Sequence, residues 1–242
     1  MLSMKAIVLA AGKSERLKPV LNKLPKPMVK INGLPILEHN IVWLRNSGID
    51  NIYINLHHLP DIITDYFGSG SQWNVKITYS YEPVLLGTAG AVRRIASQFW
   101  DKRNTSAFVV VYGDNLLPDF DLPQIIEFHL AKKGIGTVCL YHKEDVSQSG
   151  VAILDNEDRI IDFIEKPVPS ETTSHLVNTG IYVLEQRILK YIPDGFSDFG
   201  HVVFPAVLKA EEKLYGCISD RELIAVDTPE LFRRAVEGTG RR

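Results

Sequence analysis

Two acidic residues of this 242-residue chain follow apolar runs, Asp114 after AFVVVYG and Asp227 after LIAV. A carboxylate at the tip of a buried strand suits a Mg²⁺ ion shared with phosphate oxygens, since Mg²⁺ usually takes one or two protein carboxylates plus waters. Both residues also have structural readings. Asp114 can cap the turn that follows the strand, and Asp227 can be the N-cap of a last helix with Pro229 in its first turn. Cations to match them lie near the N-terminus, in LAAGKSERLKPVLNKLPKPM. Residues 1–30 carry seven Lys and Arg against Glu15, a net +6 that leaves −8 for the other 212 residues. A basic loop at the carboxyl end of a parallel strand is what a triphosphate requires, and a solvated lysine-rich loop is the plainer alternative. The small residues Ala10, Ala11 and Gly12 allow backbone N–H groups to approach phosphate. Arg16 offers a forked, permanent charge suited to polyphosphate, or an ordinary surface ion pair. Lys26 lies between two prolines that fix the direction of its side chain, or that merely reverse the chain. The loop is neither GxGxxG nor GxxxxGK[ST], so the dinucleotide-fingerprint and P-loop mechanisms are not supported.

Further along, Glu82 is an anionic acceptor that would match the N1–H and amino donors of guanine, or a surface residue before Pro83. Gly87, Thr88, Ala89 and Gly90 stand at a helix start after the third strand. Glu165 and Lys166 precede Pro167, where an exposed, charged strand end is the default. The seven histidines show no triad or metal spacing and read as structural or surface residues. Cys139 and Cys217 have no CxxC or Cys/His company, which argues against a zinc site or disulfide framework and for buried thiols in a reducing compartment.

Short apolar runs alternating with helix-length amphipathic stretches must position these groups. Strands are expected at 5–10, 51–56, 75–80 and 107–114, and helices at 34–46, 60–67 and 88–99. The run at 107–114 is almost continuously apolar, as in a parallel strand covered on both faces. No element is assigned between 115 and 135. Beyond it, strands at 136–143, 150–155, 159–165 and 175–185 are separated by turns with few helices, an antiparallel or mixed extension of the same sheet. Helical patterns return at 198–212 and 229–236. The expectation is an α/β protein, a Rossmann-like three-layer α/β/α sandwich with a mixed, mainly parallel sheet. It would form a single domain over 1–242.

Hydrophobic residues make up 45% of the chain and charged residues 23%, with a net charge of −2, which excludes long disorder, collagen-like repeats and a coiled coil. The same balance argues against a nucleic-acid partner. No apolar run reaches membrane-spanning length, and MLSMKAIVLAAG reads as a first buried strand rather than a leader. The expectation is a cytoplasmic protein without a membrane partner, with a homo-oligomer left open.

LAAGKSERLKP followed by LPKPM resembles the signature of the sugar-1-phosphate nucleotidylyltransferases, usually LAGGxGTRLxPLT…PKP. Further motifs of that family recur in order as LLGTAGAV (85–92), YGDN (112–115), FIEKP (163–167), VNTG (177–180) and VDTPE (226–230), so the resemblance covers essentially the whole chain. Ser14 and Glu15 depart from it, standing where Gly and Thr are common. The resemblance implies the nucleotide-diphospho-sugar transferase fold, Mg²⁺ as cofactor, and transfer of a nucleotidyl group to a sugar 1-phosphate with release of pyrophosphate. It further implies that Arg16 neutralises the α- and β-phosphates and the departing pyrophosphate, that Lys26 approaches the α-phosphate, and that Asp114 and Asp227 hold the metal. Ala10, Ala11, Gly12, Glu82, Gly87, Thr88 and Gly113 would then serve the nucleotide. Glu165 would meet sugar hydroxyls and Lys166 the sugar phosphate, with Gly150, Asn178 and Gly180 lining the same pocket. By the same resemblance, about 1–115 of the single domain would bind nucleotide and 116–242 the sugar phosphate. LGTAGA is similar to the guanylyl-transferring members, those acting on mannose 1-phosphate or heptose 1-phosphate, so GTP is the preferred donor and UTP the alternative. YGDN lacks the first Asp of the DxD expected of a metal-dependent glycosyltransferase, and a non-catalytic regulatory homologue would be expected to have lost Arg16, Lys26 or the acids. The sequence ends soon after VDTPE, so neither a C-terminal left-handed β-helix nor a second, acyltransferase activity is expected.

Overall fold

The computed structural model describes residues 4–12, 24–99, 107–117, 119–168 and 170–239. In chain order the strands are β1 (Lys5–Leu9), β2 (Lys30–Ile31), β3 (Leu34–Pro35), β4 (Asn51–Leu56), β5 (Lys76–Tyr81), β6 (Phe108–Tyr112), β7 (Gly136–His142), β8 (Gly150–Leu154), β9 (Ile160–Glu165), β10 (Leu176–Leu184) and β11 (Leu214–Ser219). The α-helices are α1 (Ile36–Asn46), α2 (Pro60–Phe67), α3 (Gly87–Phe99), α4 (Leu122–Lys132), α5 (Phe204–Lys209) and α6 (Pro229–Thr239). They form an α/β fold with a mixed sheet, organised as two compact units between which the chain passes inside β6.

The first unit comprises residues 1–85, 111–119 and 223–242. Its strands β1, β4 and β5 are parallel, with Leu9 opposite Asn55 and Asn55 opposite Ser80. Ala6, Ile7 and Val8 of β1 are wholly buried, as expected of a parallel strand covered on both faces. The helix expected from residue 34 starts at Ile36, because Asn32 and Gly33, both at positive φ, close a short antiparallel pair between β2 and β3. Asn-Gly is a strong hairpin signal and here overrides the helical periodicity. A cluster of Val29, Ile31, Ile36, Leu116, Val226 and Ala235 ties four separate stretches of chain together. Each of those stretches leads directly to a chemically interesting residue or packs against one that does.

The second unit comprises residues 86–110 and 120–222. Here β7 pairs with β11 in parallel and with β10 antiparallel, and β8 pairs antiparallel with β10 and β9. Three elements differ from the sequence expectation. Helix α4 fills the stretch left unassigned; Asp121 caps it by accepting the Gln124 N–H at 3.0 Å, and Pro123 sits in the first turn, where it is tolerated. The helical run expected at 198–212 is a π-helical turn, Phe199–Val203, followed by the short α5. Strand β11 was not expected, since Gly216 and Cys217 dilute its apolar run until register with β7 buries them. Tyr182, Phe199, Phe204 and Phe163 pack edge-on or tilted at 4.9–5.4 Å and fix the π-turn against β9 and β10.

Candidate active site

In the first unit the structure brings together three residues far apart in sequence. Lys26 Nζ donates to Asp114 Oδ2 at 2.9 Å and to Asp227 Oδ1 at 2.6 Å. Lys26 is 2% exposed, held in a 3₁₀ turn in which Met28 N–H bonds Pro25 O and Val29 N–H bonds Lys26 O. Burial works against its charge, but the two carboxylates outweigh that and raise its pKa above the ordinary lysine value. The turn of PKP is therefore real, and its product is a buried ammonium aimed at two acids.

Strand β6 stops at Tyr112, two residues short of the expected end, so Asp114 occupies the turn beyond it. Gly113 lets this turn close on β1: its N–H bonds Leu9 O at 2.9 Å, and a Cβ there would lie 2.7 Å from Val8 Cγ1. The sequence reading missed Asn40. This fully buried residue of α1 donates to Asn115 O at 2.7 Å and accepts the Leu117 N–H at 3.3 Å, clamping the turn that carries Asp114. A polar residue on the apolar face of an amphipathic helix was the one available signal. Asp227 is not the cap of α6. Thr228 takes that role, its Oγ1 accepting the Leu231 N–H at 3.2 Å, which leaves Asp227 paired with Lys26.

The Ala10 N–H donates to Asn55 Oδ1 at 2.7 Å, and Asn55 Nδ2 donates to Glu82 Oε1 at 2.8 Å. Glu82 is 1% exposed, not a surface residue, and the His57 ring bonds its carbonyl at 2.8 Å. Glu82 thus anchors the backbone at the end of β1 through Asn55, an arrangement the 27-residue spacing gave no means to see. Ala11 is buried and Gly12 exposed. Arg16, Ser14 and Glu15 lie outside the described residues.

In the second unit Gly87 has φ +74°, and a Cβ there would collide with Ser197 O. A Cβ at Gly90 would lie 2.5 Å from Gly195 O. The Ser197 carbonyl accepts the N–H groups of Ala89 and Gly90 at 3.0 and 3.1 Å, and Thr88 Oγ1 accepts the Phe199 N–H at 3.1 Å. The small residues of LGTAGA therefore have a packing cause, which is close approach of the 195–199 segment. Gly150 and Glu165 are register partners on β8 and β9, and a Cβ at Gly150 would lie 2.7 Å from Glu165 Oε2. Burial raises the Glu165 pKa, moderated by Lys166 and His201. Lys166 is exposed at φ +53°, its N–H bonded to Ser149 O at 3.0 Å; that strained conformation sets the direction of its side chain. Asn178 and Gly180 form a β-bulge in β10: Asn178 Oδ1 accepts the Gly180 N–H at 2.8 Å and Asn178 Nδ2 donates to Tyr182 Oη at 2.7 Å. Both cysteines are free and buried, and burial pushes their thiols up to about 12 and about 11.

A buried ammonium thus bridges two carboxylates, Asp114 in the turn beyond β6 and Asp227 just before α6. Residues 5–223 match the nucleotidyl transferase family, and the chain belongs to that family. It is 34% identical over 97% of its length to a UTP–glucose-1-phosphate uridylyltransferase of Synechocystis, of which the match spans 63%. The chain likewise spans about three-fifths of several mannose-1-phosphate guanyltransferases. It is 30% identical to the D-glycero-alpha-D-manno-heptose 1-phosphate guanylyltransferase of Aneurinibacillus thermoaerophilus, the match spanning 96% of both chains. HddC from Yersinia pseudotuberculosis, complexed with GMP-PN, superposes with a TM-score of 0.80 at 26% identity, covering 98% of this chain and 99% of that one. The fold is accordingly that of the nucleotide-diphospho-sugar transferases. Among the described residues, no helix is long and apolar enough to cross a membrane.

Proposed function

We propose that the protein transfers a nucleotidyl group from a nucleoside triphosphate, with GTP preferred, to a mannose- or heptose-type sugar 1-phosphate, giving NDP-sugar and pyrophosphate. The observation that carries this reading is the buried Lys26 bonded to both Asp114 and Asp227 in a member of the nucleotidyl transferase family. A phosphate oxygen of the sugar 1-phosphate attacks the α-phosphorus as the bond to pyrophosphate breaks. No side-chain nucleophile intervenes, so catalysis is alignment and charge screening. Lys26 contributes its ammonium at the α-phosphate, and Arg16 meets the departing pyrophosphate. Ala11 and Gly12 offer backbone to the phosphates, with Ala10 and Gly113 shaping the loop and Glu82 bracing it. In the second unit Gly87 and Thr88 serve the base and ribose. There Glu165 accepts from sugar hydroxyls, Lys166 pairs with the sugar phosphate, and Gly150, Asn178 and Gly180 shape the wall.

Two carboxylates gathered around one cation fit a Mg²⁺ ion, whose hard-oxygen preference is met by carboxylates, phosphate and water. Asp114 and Asp227 would hold it, and when bound it supplies positive charge against the phosphate oxygens. The cytoplasm, where nucleoside triphosphates are held, is the proposed compartment. Pyrophosphate release measured across four NTPs and a panel of sugar 1-phosphates tests the reading. The expected result is release that needs both substrates and is fastest with GTP. No release with any pair would overturn it. The 34% identity to a uridylyltransferase favours one second reading, UTP with glucose 1-phosphate, which the same panel separates.

A further inference from the structure

The segment from Gly195 to His201 belongs to none of the sequence motifs, yet it is pinned tightly in the second unit. Its Ser197 N–H donates to Leu86 O at 2.8 Å, the Ser197 carbonyl accepts the Ala89 and Gly90 N–H groups, and the Phe199 N–H reaches Thr88 Oγ1. It then enters the π-turn, whose start is capped by Asp198 Oδ1 accepting the His201 N–H at 2.6 Å. π-Helices are rare, occur mostly as single turns and are frequent at functional sites. This one places Gly200 directly against Glu165, since a Cβ on Gly200 would overlap Glu165 Oε2. A Cβ on Gly150 would also crowd Glu165 Oε2, so two glycines pack against the Glu165 carboxylate and a side chain on either would force it to shift. Asp198 is half-buried and His201 exposed, one before and one after the residue that backs the carboxylate.

We propose that residues 195–201 form a strap that completes the sugar 1-phosphate site, Gly200 positioning Glu165 and His201 adding a hydrogen-bonding contact to the sugar 1-phosphate itself. The inference rests on the proposed function, which assigns Glu165 to the sugar. Its chemistry follows from what lies around that carboxylate. Lys166 and His201 act on its charge in one sense and Asp198 in the other, so all four groups share one electrostatic neighbourhood. A sugar 1-phosphate presents hydroxyls and a dianion side by side, and that mixed set of groups suits it. The strap's other end holds the LGTAGA turn, so one segment touches both those glycines and the Glu165 carboxylate.

The test is titration calorimetry with mannose 1-phosphate and glucose 1-phosphate as probes, on the native protein, His201→Ala and Gly200→Ala, together with pyrophosphate-release kinetics. His201 is exposed, so its variant keeps the fold, and circular dichroism checks Gly200→Ala. The expected result is at least tenfold weaker sugar 1-phosphate binding in His201→Ala, with KM for the nucleotide unchanged. Gly200→Ala should lose binding to the same degree as Glu165→Gln. His201→Ala binding sugar phosphate like the native protein, or weakened in nucleotide KM alone, would overturn the strap and leave the nucleotidyl-transfer reading intact. A native protein that binds neither probe and releases pyrophosphate with no pair would overturn both.

Discussion

Replacing Lys26 by methionine removes one charge and almost no volume, which isolates what the ammonium does between Asp114 and Asp227. Losing the partner of a buried ion pair costs about 3–5 kcal/mol, whereas exposed pairs contribute about 0–1 kcal/mol. Lys26 is buried, but the side chains of Asp114 and Asp227 are 32% and 36% exposed and keep part of their hydration. The cost should therefore fall between those limits, at about 2 kcal/mol. At ~2–4 °C per kcal/mol for a chain of this size, Tm in EDTA should drop by about 4–8 °C. Two unneutralised carboxylates are also a better cation site than two already held by an ammonium. A divalent ion at a hundred times its Kd returns about 2.7 kcal/mol, so millimolar Mg²⁺ should restore most of the loss in Lys26→Met and shift the native protein less. Thermal melts by circular dichroism, with EDTA or Mg²⁺ and no nucleotide, read both effects. Equal melting of the two proteins in EDTA, with the same Mg²⁺ shift in each, would refute the coupling of Lys26 to the two acids.

Three further outcomes follow from the geometry. Asn40→Leu leaves the Asn115 carbonyl and Leu117 N–H without their partner, at about 1–3 kcal/mol each; a chemical melt should show the loss, and kcat should fall as the Asp114 turn loosens, without change in sugar 1-phosphate KM. Gly87→Ala forces a side chain at φ +74° against the Ser197 carbonyl, so it should destabilise by about 1–3 kcal/mol, whereas unchanged stability would show that the 195–199 segment yields readily. Glu165→Gln concerns pH. Burial raises the Glu165 pKa in the folded state, so its carboxylate costs stability that is absent below the unfolded value near 4.5 and grows as pH rises through the folded pKa. The variant should therefore match native stability at pH 4 and exceed it at pH 7 while losing sugar 1-phosphate affinity; a stability difference independent of pH would contradict the burial.

Short-range patterns were readable because they are set by local physics. The buried run of β6, the lysine fixed between prolines, and the alternation of strand and helix all follow from side-chain period and backbone restriction within a few residues. Proline in the first turn of α4 and glycine in β11 hid two elements, since each weakens the local signal while being acceptable once the neighbours are in place. The helix start at residue 36 moved for the opposite reason, a strong local turn at Asn32–Gly33 outcompeting the periodicity.

By itself the sequence determined an α/β alternation, a cluster of basic residues near the N-terminus, two acids after apolar runs and the residues of a nucleotidyl transferase in order. Only the tertiary structure decided how those residues are partnered. Lys26 meets Asp114 and Asp227 across separations of 88 and 201 residues, Asn40 clamps a turn 75 residues away, and Glu82 braces β1 through Asn55. It also gave the LGTAGA glycines a neighbour, the Ser197 carbonyl, more than a hundred residues on. Periodicity reports which face of an element is buried, but hydrogen bonds and ion pairs between elements depend on register and packing, which only the folded chain fixes.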